Sequence, residues 1–141
     1  MTKILLAADG SKFTKKALAF LVTHEGLCGP DDTLLVVNVQ PAVPSRVKTM
    51  LGAAAVNDYH RDEARKVLDP IERFLKAHKL QFRTSWTVGS APMELLAAAK
   101  KDKSGLIVMG THGHGIIGRA LMGSVAQRVV TDSTVPILLV K

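Results

Sequence analysis

The chain is poor in cysteine and in aromatic side chains, and it has no long apolar run. Cys28 is the one cysteine, so an internal disulfide cannot form and a reducing, cytoplasmic setting is expected. Four Phe, one Trp and one Tyr make up the aromatics. That is too few for the stacking platforms that hold single-stranded nucleic acid, and no basic helix stands out, so nucleic acid is not an expected partner. No apolar stretch approaches the roughly 18 residues of a membrane span. Met1-Thr2-Lys3, followed by a short apolar run cut at Asp9, does not read as a secretory signal. Linkers, internal repeats and low-complexity tracts are missing too. With 141 residues, 47% hydrophobic and 22% charged, the composition is that of one globular domain spanning residues 1–141. Lys and Arg number 19 against 12 Asp and Glu, a net charge of +7, which favours anionic ligands without naming one.

What is present is a rhythm of strand, turn and helix. Lys3 to Ala8 is almost wholly apolar, as suits a strand buried on both faces, and Asp9-Gly10-Ser11 breaks it. Phe13, Ala17, Phe20 and Leu21 then fall on one helical stripe, stopped by Gly26, Gly29 and Pro30. Thr33 to Val39 reads as a second strand, and Pro41 to about Ala55 as a long loop. Val56 to His78 carries a helical stripe of Ala64, Val67, Leu68, Ile71 and Leu75, with Pro70 expected to bend or break it. Gln81 to Val88 alternates, so one face of that strand is expected to be wet. Ser90 is placed to cap a helix that tolerates Pro92 in its first turn. Gly105 to Gly110 is a fourth strand, Ser124 to Asp132 a helix, and Val135 to Val140 a last strand.

This β-α-β-α-β-α-β-α-β pattern implies an α/β fold: a doubly wound, five-stranded parallel sheet of Rossmann-like type with helices on both faces. With strand order 3-2-1-4-5, a ligand would sit outside the C-terminal strand ends, in the crevice between the first and fourth strands. The turn at Asp9 and the glycine-rich stretch from Gly110 flank that crevice.

From Gly110 to Ser124 there are five glycines in 15 residues, a loop with room for a short helical turn. Glycine permits positive φ and close backbone approach, and successive free N–H groups make an anion nest. The stretch ends at Gly123-Ser124, where a helix N-terminus offers unpaired donors and partial positive charge. This reads as a phosphate cradle without a lysine. GxxxxGK[ST] is absent, which argues against a P-loop NTPase. Gly113 to Gly118 matches GxGxxG by letter, but it follows the fourth strand, and the second strand ends Asn38-Val39-Gln40 with no acid for a ribose. Asp9 can cap the first helix or touch a ligand. His112 and His114 read as solvated or as contacts to a phosphate or metal, and Arg119 as solvated or as a phosphate fork. The five histidines show neither zinc-site spacing nor HExxH. Lys100, Lys101 and Lys103 suit a wet helix end.

Gly110, Gly113, Gly123 and Ser124 follow the spacing Gly-2x-Gly-9x-Gly-Ser. With Asp9-Gly10-Ser11 after the first strand, the chain resembles, over its whole length, the nucleotide-binding branch of the universal stress protein family. The resemblance implies ATP, with or without Mg2+, in the crevice. Asp9 would meet the ribose or adenine side, Val39 would pack on adenine, and Met109 and Gly110 would line base and sugar. Gly113, Gly123, Ser124 and Val125 would hold the phosphates. It also implies a homodimer built on Val135–Val140, an apolar edge strand that invites pairing on physical grounds as well. Catalysis finds little support: no GxSxG elbow, no paired carboxylates and one acid at the crevice, so slow ATP hydrolysis at most is expected. The alternative, an enzyme of the adenine-nucleotide α-hydrolase-like class, lacks the HIGH-type and pyrophosphatase-type loops after its first strand.

Overall fold

Ten elements alternate along the chain in a computed structural model that describes residues 1–113 and 122–141. They are β1 (Lys3–Ala7), α1 (Lys12–Thr23), β2 (Thr33–Gln40), α2 (Ser45–Leu51), α3 (Ala53–Ala77), β3 (Gln81–Val88), α4 (Ala91–Asp102), β4 (Leu106–Gly110), α5 (Ser124–Asp132) and β5 (Ile137–Val140). The strands form one parallel sheet in the order β3-β2-β1-β4-β5, the order expected from the alternation.

The period-two geometry of the strands sorts their side chains into two cores. Ile4, Leu6, Val36 and Val108 face α1 and α3, meeting Ala17, Leu21, Leu68 and Leu75. Leu5, Val37, Ile107 and Met109 face α4 and α5, meeting Leu95, Ala99, Ala126 and Val129. Covering both faces explains why β1 and β4 are continuous apolar runs. Edge strand β3 alternates instead: Gln81, Arg83 and Ser85 are exposed while Phe82, Thr84 and Trp86 are half-buried, as its expected wet face requires.

Two expectations need correction. The segment from Pro41 to Ala55 is not one long loop. It contains α2 and the start of α3, separated by Gly52 at φ +86°, a left-handed value that stops one helix before the next begins. α2 buries none of its residues, so no apolar stripe betrays it in sequence. Nor does Pro70 break α3, which runs unbroken through 25 residues. Pro70 is exposed while Leu68, Ile71 and Leu75 are buried. The carbonyl it leaves without a partner therefore faces the wet side, and packing on the sheet holds the rest of the helix.

Smaller differences lie at element ends. β1 stops at Ala7, β4 starts at Leu106 and β5 at Ile137. Ser90 does occupy the N-cap of α4, but its side chain makes no capping hydrogen bond. Among the described residues no helix is long and apolar enough to cross a membrane.

Candidate functional site

Right-handed crossovers bring the N-termini of α1, α4 and α5 to the C-terminal edge of the sheet. The turn after β1 is organised by Asp9. Its Oδ1 accepts from the Ser11 amide at 2.9 Å and from Thr14 Oγ1 at 2.8 Å, while the Asp9 amide donates back to Thr14 Oγ1 at 3.1 Å. Gly10 supplies the left-handed step at φ +80°. Ser11, not Asp9, is the N-cap of α1, and its buried hydroxyl has no hydrogen-bond partner. Asp9 thus shapes the turn without capping the helix in the usual way. Behind it, Asn38 Nδ2 donates to the Ala8 carbonyl at 2.9 Å, and Gln40 Nε2 donates to Asn38 Oδ1 at 2.6 Å. These bonds fix the ends of β1 and β2 to each other.

Beyond β4 the chain is pressed tightly against its neighbours. The Thr111 amide donates to Val140 O at 2.9 Å, and the Gly123 amide to Thr111 O at 2.6 Å. None of Gly110, Gly113 and Gly123 adopts a left-handed φ; each is required by close approach instead. A Cβ on Gly110 would collide with Phe13 Cβ, and one on Gly113 with Asp9 Oδ2. A Cβ on Gly123 would lie 3.2 Å from His112 Cα and 3.3 Å from Thr111 O. Of the two reasons expected for these glycines, positive φ does not apply to Gly110, Gly113 and Gly123, and the close approach is to Phe13, Asp9 and His112 of the chain itself. His114, Gly115, Gly118 and Arg119, with the rest of the GxGxxG match and any helical turn there, lie outside the described residues.

The opposed ends of β1 and β4 enclose a cavity of about 360 Å³. Its floor is apolar, built from Val37 and Val39 of β2, Met109 of β4 and Leu95 of α4. Its rim is polar: Asp9 and Thr14 on one side, His112 and Gly113 on another. Gly110 lies between floor and rim, and Gly123, Ser124 and Val125 close the far side at the start of α5. All eight residues singled out in the sequence (Asp9, Val39, Met109, Gly110, Gly113, Gly123, Ser124 and Val125) therefore border one space.

Gly123 is the N-cap of α5, with no side-chain cap and no acid in the first turn. The first amides of a helix lack intrahelical acceptors, and among the described residues no side chain caps this helix. Their partial positive charge stays available to an anion in the cavity. Sequence reading missed Thr14 as part of the rim, and it left His112 open between a solvated residue and a ligand contact. Thr14 hides as an ordinary polar position within α1. His112 packs against Phe13, ring centroids 5.1 Å apart, a contact between residues 99 positions apart. Among the described residues no cluster of three or more His, Cys, Asp or Glu side chains is placed to hold a metal.

Comparison with known proteins gives this geometry its context. The model of the universal stress protein family matches residues 1–141. A universal stress protein of Thermus aquaticus is 32% identical over 98% of this chain and 97% of its own length. Universal stress protein MJ0531 of Methanocaldococcus jannaschii is 28% identical over 99% of this chain and 81% of its own. Among solved structures, MJ0577 superposes with a TM-score of 0.84 at 24% identity, covering 99% of this chain and 95% of that one. A universal stress protein in complex with cAMP gives 0.62 at 19% identity, over 99% and 95% of the two chains. An Arabidopsis thaliana family protein with AMP bound gives 0.70 at 14%, over 100% and 92%. With the family model matching from the first residue to the last, the chain belongs to the universal stress protein family.

Proposed function

We propose that the chain, acting as one domain over residues 1–141, binds an adenine nucleotide, ATP foremost, in the crevice between β1 and β4. It would serve as a small cytoplasmic stress-response regulator whose occupancy biases its conformation or its choice of partner. The observation that carries the reading is the uncapped N-terminus of α5 opening on a cavity with an apolar floor. Such a floor accepts a base, and the amides of Ser124 and Val125, in the first turn of α5, can donate to phosphate oxygens; the Gly123 amide is already bonded to Thr111 O. Family membership supports the reading, as do the relatives whose structures hold cAMP and AMP.

Val39 and Met109 would pack on the base, Asp9 would meet the sugar side, and Gly113, Gly123, Ser124 and Val125 would hold the phosphates. Asp9 is the one carboxylate among the described cavity residues, and its Oδ1 already accepts two hydrogen bonds. A Mg2+ ion would therefore ride on the phosphates and not on a protein cage. With one carboxylate among the described cavity residues, hydrolysis would be slow at most. β5 lies at the sheet edge with all four residues half-buried in the single chain. It would pair with a second copy and bury that apolar surface.

Denaturing the purified protein and weighing the released small molecules by mass spectrometry tests the nucleotide. An adenine nucleotide at near one per chain is expected. Its absence, together with no heat on titration with ATP, overturns the reading. Sedimentation at micromolar concentration is expected to give a dimer, and a stable monomer would remove the β5 interface.

A further inference from the structure

Three lysines, Lys12, Lys15 and Lys16, begin α1, and its first turn contains no acid. This placement is unfavourable in isolation. Cations at a helix N-terminus oppose the dipole, and like charges at i and i+4, as at Lys12 and Lys16, repel. Among the described residues no ion pair relieves either lysine. The two are nevertheless gathered at one place. Lys12 Nζ stands 5.3 Å and Lys16 Nζ 5.4 Å from the centroid of the Phe13 ring. Phe13 is itself buried, and its ring meets His112, a wall of the cavity, at 5.1 Å. Each ammonium is thus one aromatic ring away from the rim that faces Gly113. That separation is on the scale of the Debye length, about 8–10 Å at physiological salt.

We propose that Lys12 and Lys16, seated on Phe13 beside His112, form a positive ledge that reads the length of the phosphate tail and makes the crevice prefer nucleoside triphosphates over monophosphates. This rests on the nucleotide reading of the crevice. A monophosphate is satisfied by the first-turn amides of Ser124 and Val125. A longer tail carries more negative charge and extends past that cradle toward the ledge, where it relieves the repulsion between the lysines. The ring supplies a face that holds both cations without neutralising them, so the charge stays available to a ligand. Arg in place of Lys keeps the function, because the guanidinium also stacks on an aromatic face.

The test is calorimetric titration with ATP and AMP of the wild type, the double variant Lys12→Ala/Lys16→Ala and the control Lys100→Ala/Lys101→Ala. The control removes the same charge from the last turn of α4, at the opposite end of the sheet. Both lysines of the ledge are exposed, so the substitutions leave the core intact, and far-UV circular dichroism verifies this. The ledge variant is expected to lose about tenfold in ATP affinity and less than twofold for AMP, the magnitude expected of two partly screened charges. Lys12→Arg/Lys16→Arg is expected to restore the ATP affinity. The wild-type preference for ATP should shrink as salt is raised, and that of the ledge variant should not. Equal losses for both nucleotides, an unchanged ATP affinity, or an equal loss in the control would overturn the ledge. A wild type that binds neither nucleotide would overturn the crevice reading beneath it, and the ledge with it.

Discussion

The two sides of the crevice are built to different standards. On the β1–β4 side, Asp9, Gly110, Gly113 and Gly123 meet their neighbours at distances that leave no room for a methyl group or force neighbours to shift. On the β2 side, the chain leaves Val39 and within a few residues enters α2, which buries nothing. There Met50, Leu51 and Tyr59 are exposed. The β1–β4 wall is assembled before a ligand arrives, whereas α2, beyond β2 and outside the cavity lining, buries none of its residues. Preorganised donors lose no freedom on binding, whereas loosely packed segments are the ones free to respond to it.

The most damaging way to break this contrast is to put bulk into the tight side. Gly110→Val is expected to lower stability by about 1–3 kcal/mol, the range for overpacking, because its side chain would collide with Phe13. Urea denaturation measures it. Asp9→Ala comes next. It removes the acceptor of the Ser11 amide and the Thr14 hydroxyl, and an expected loss of about 1–2 kcal/mol should accompany a weaker ATP titration.

A smaller, pH-dependent effect sits at the opposite end of the sheet. Amides of Gly29 and Thr2 donate to the Asp32 carboxylate and hold its pKa below the ordinary Asp value. Its stabilisation is therefore fully present above about pH 4 and is lost as pH falls through the depressed value. Asp32→Asn should lower the urea midpoint near neutral pH, and the gap to wild type should close as pH falls through the depressed value. The smallest expected effect is on the loose side: Met50→Ser/Leu51→Ser should change stability by under about 0.5 kcal/mol, as judged by the same midpoint. A large loss there would erase the contrast between the tight crevice wall and the loosely held α2.

Strand order was legible because strands buried on both faces are written as uninterrupted apolar runs between helical stripes. α2 was not legible, since a helix that buries nothing has no stripe to read. The helical stripe of α3 was traced back to Ala64, yet it continues one turn earlier through His60, which is 3% exposed and whose Nδ1 has no hydrogen-bond partner among the described residues. A polar letter at an apolar position concealed it. At the crevice, the spacing of Gly110, Gly113, Gly123 and Ser124 found the right wall, but for an incomplete reason. The glycines are there for Phe13, Asp9 and His112, partners that become neighbours through the crossover connections and cannot be read from local sequence. Lys12 and Lys16 were not singled out in the sequence, because their grouping depends on the buried ring of Phe13.

Asp32 and Asp9 sit at opposite ends of the same β1–α1–β2 unit. One ties the amide of Thr2 to the start of β2, and the other ties the exit of β1 to the first turn of α1. A unit latched at both ends opens only as a whole. Its interior amides should exchange with deuterium at the rate set by global unfolding, while those of α2 trade protons with water long before.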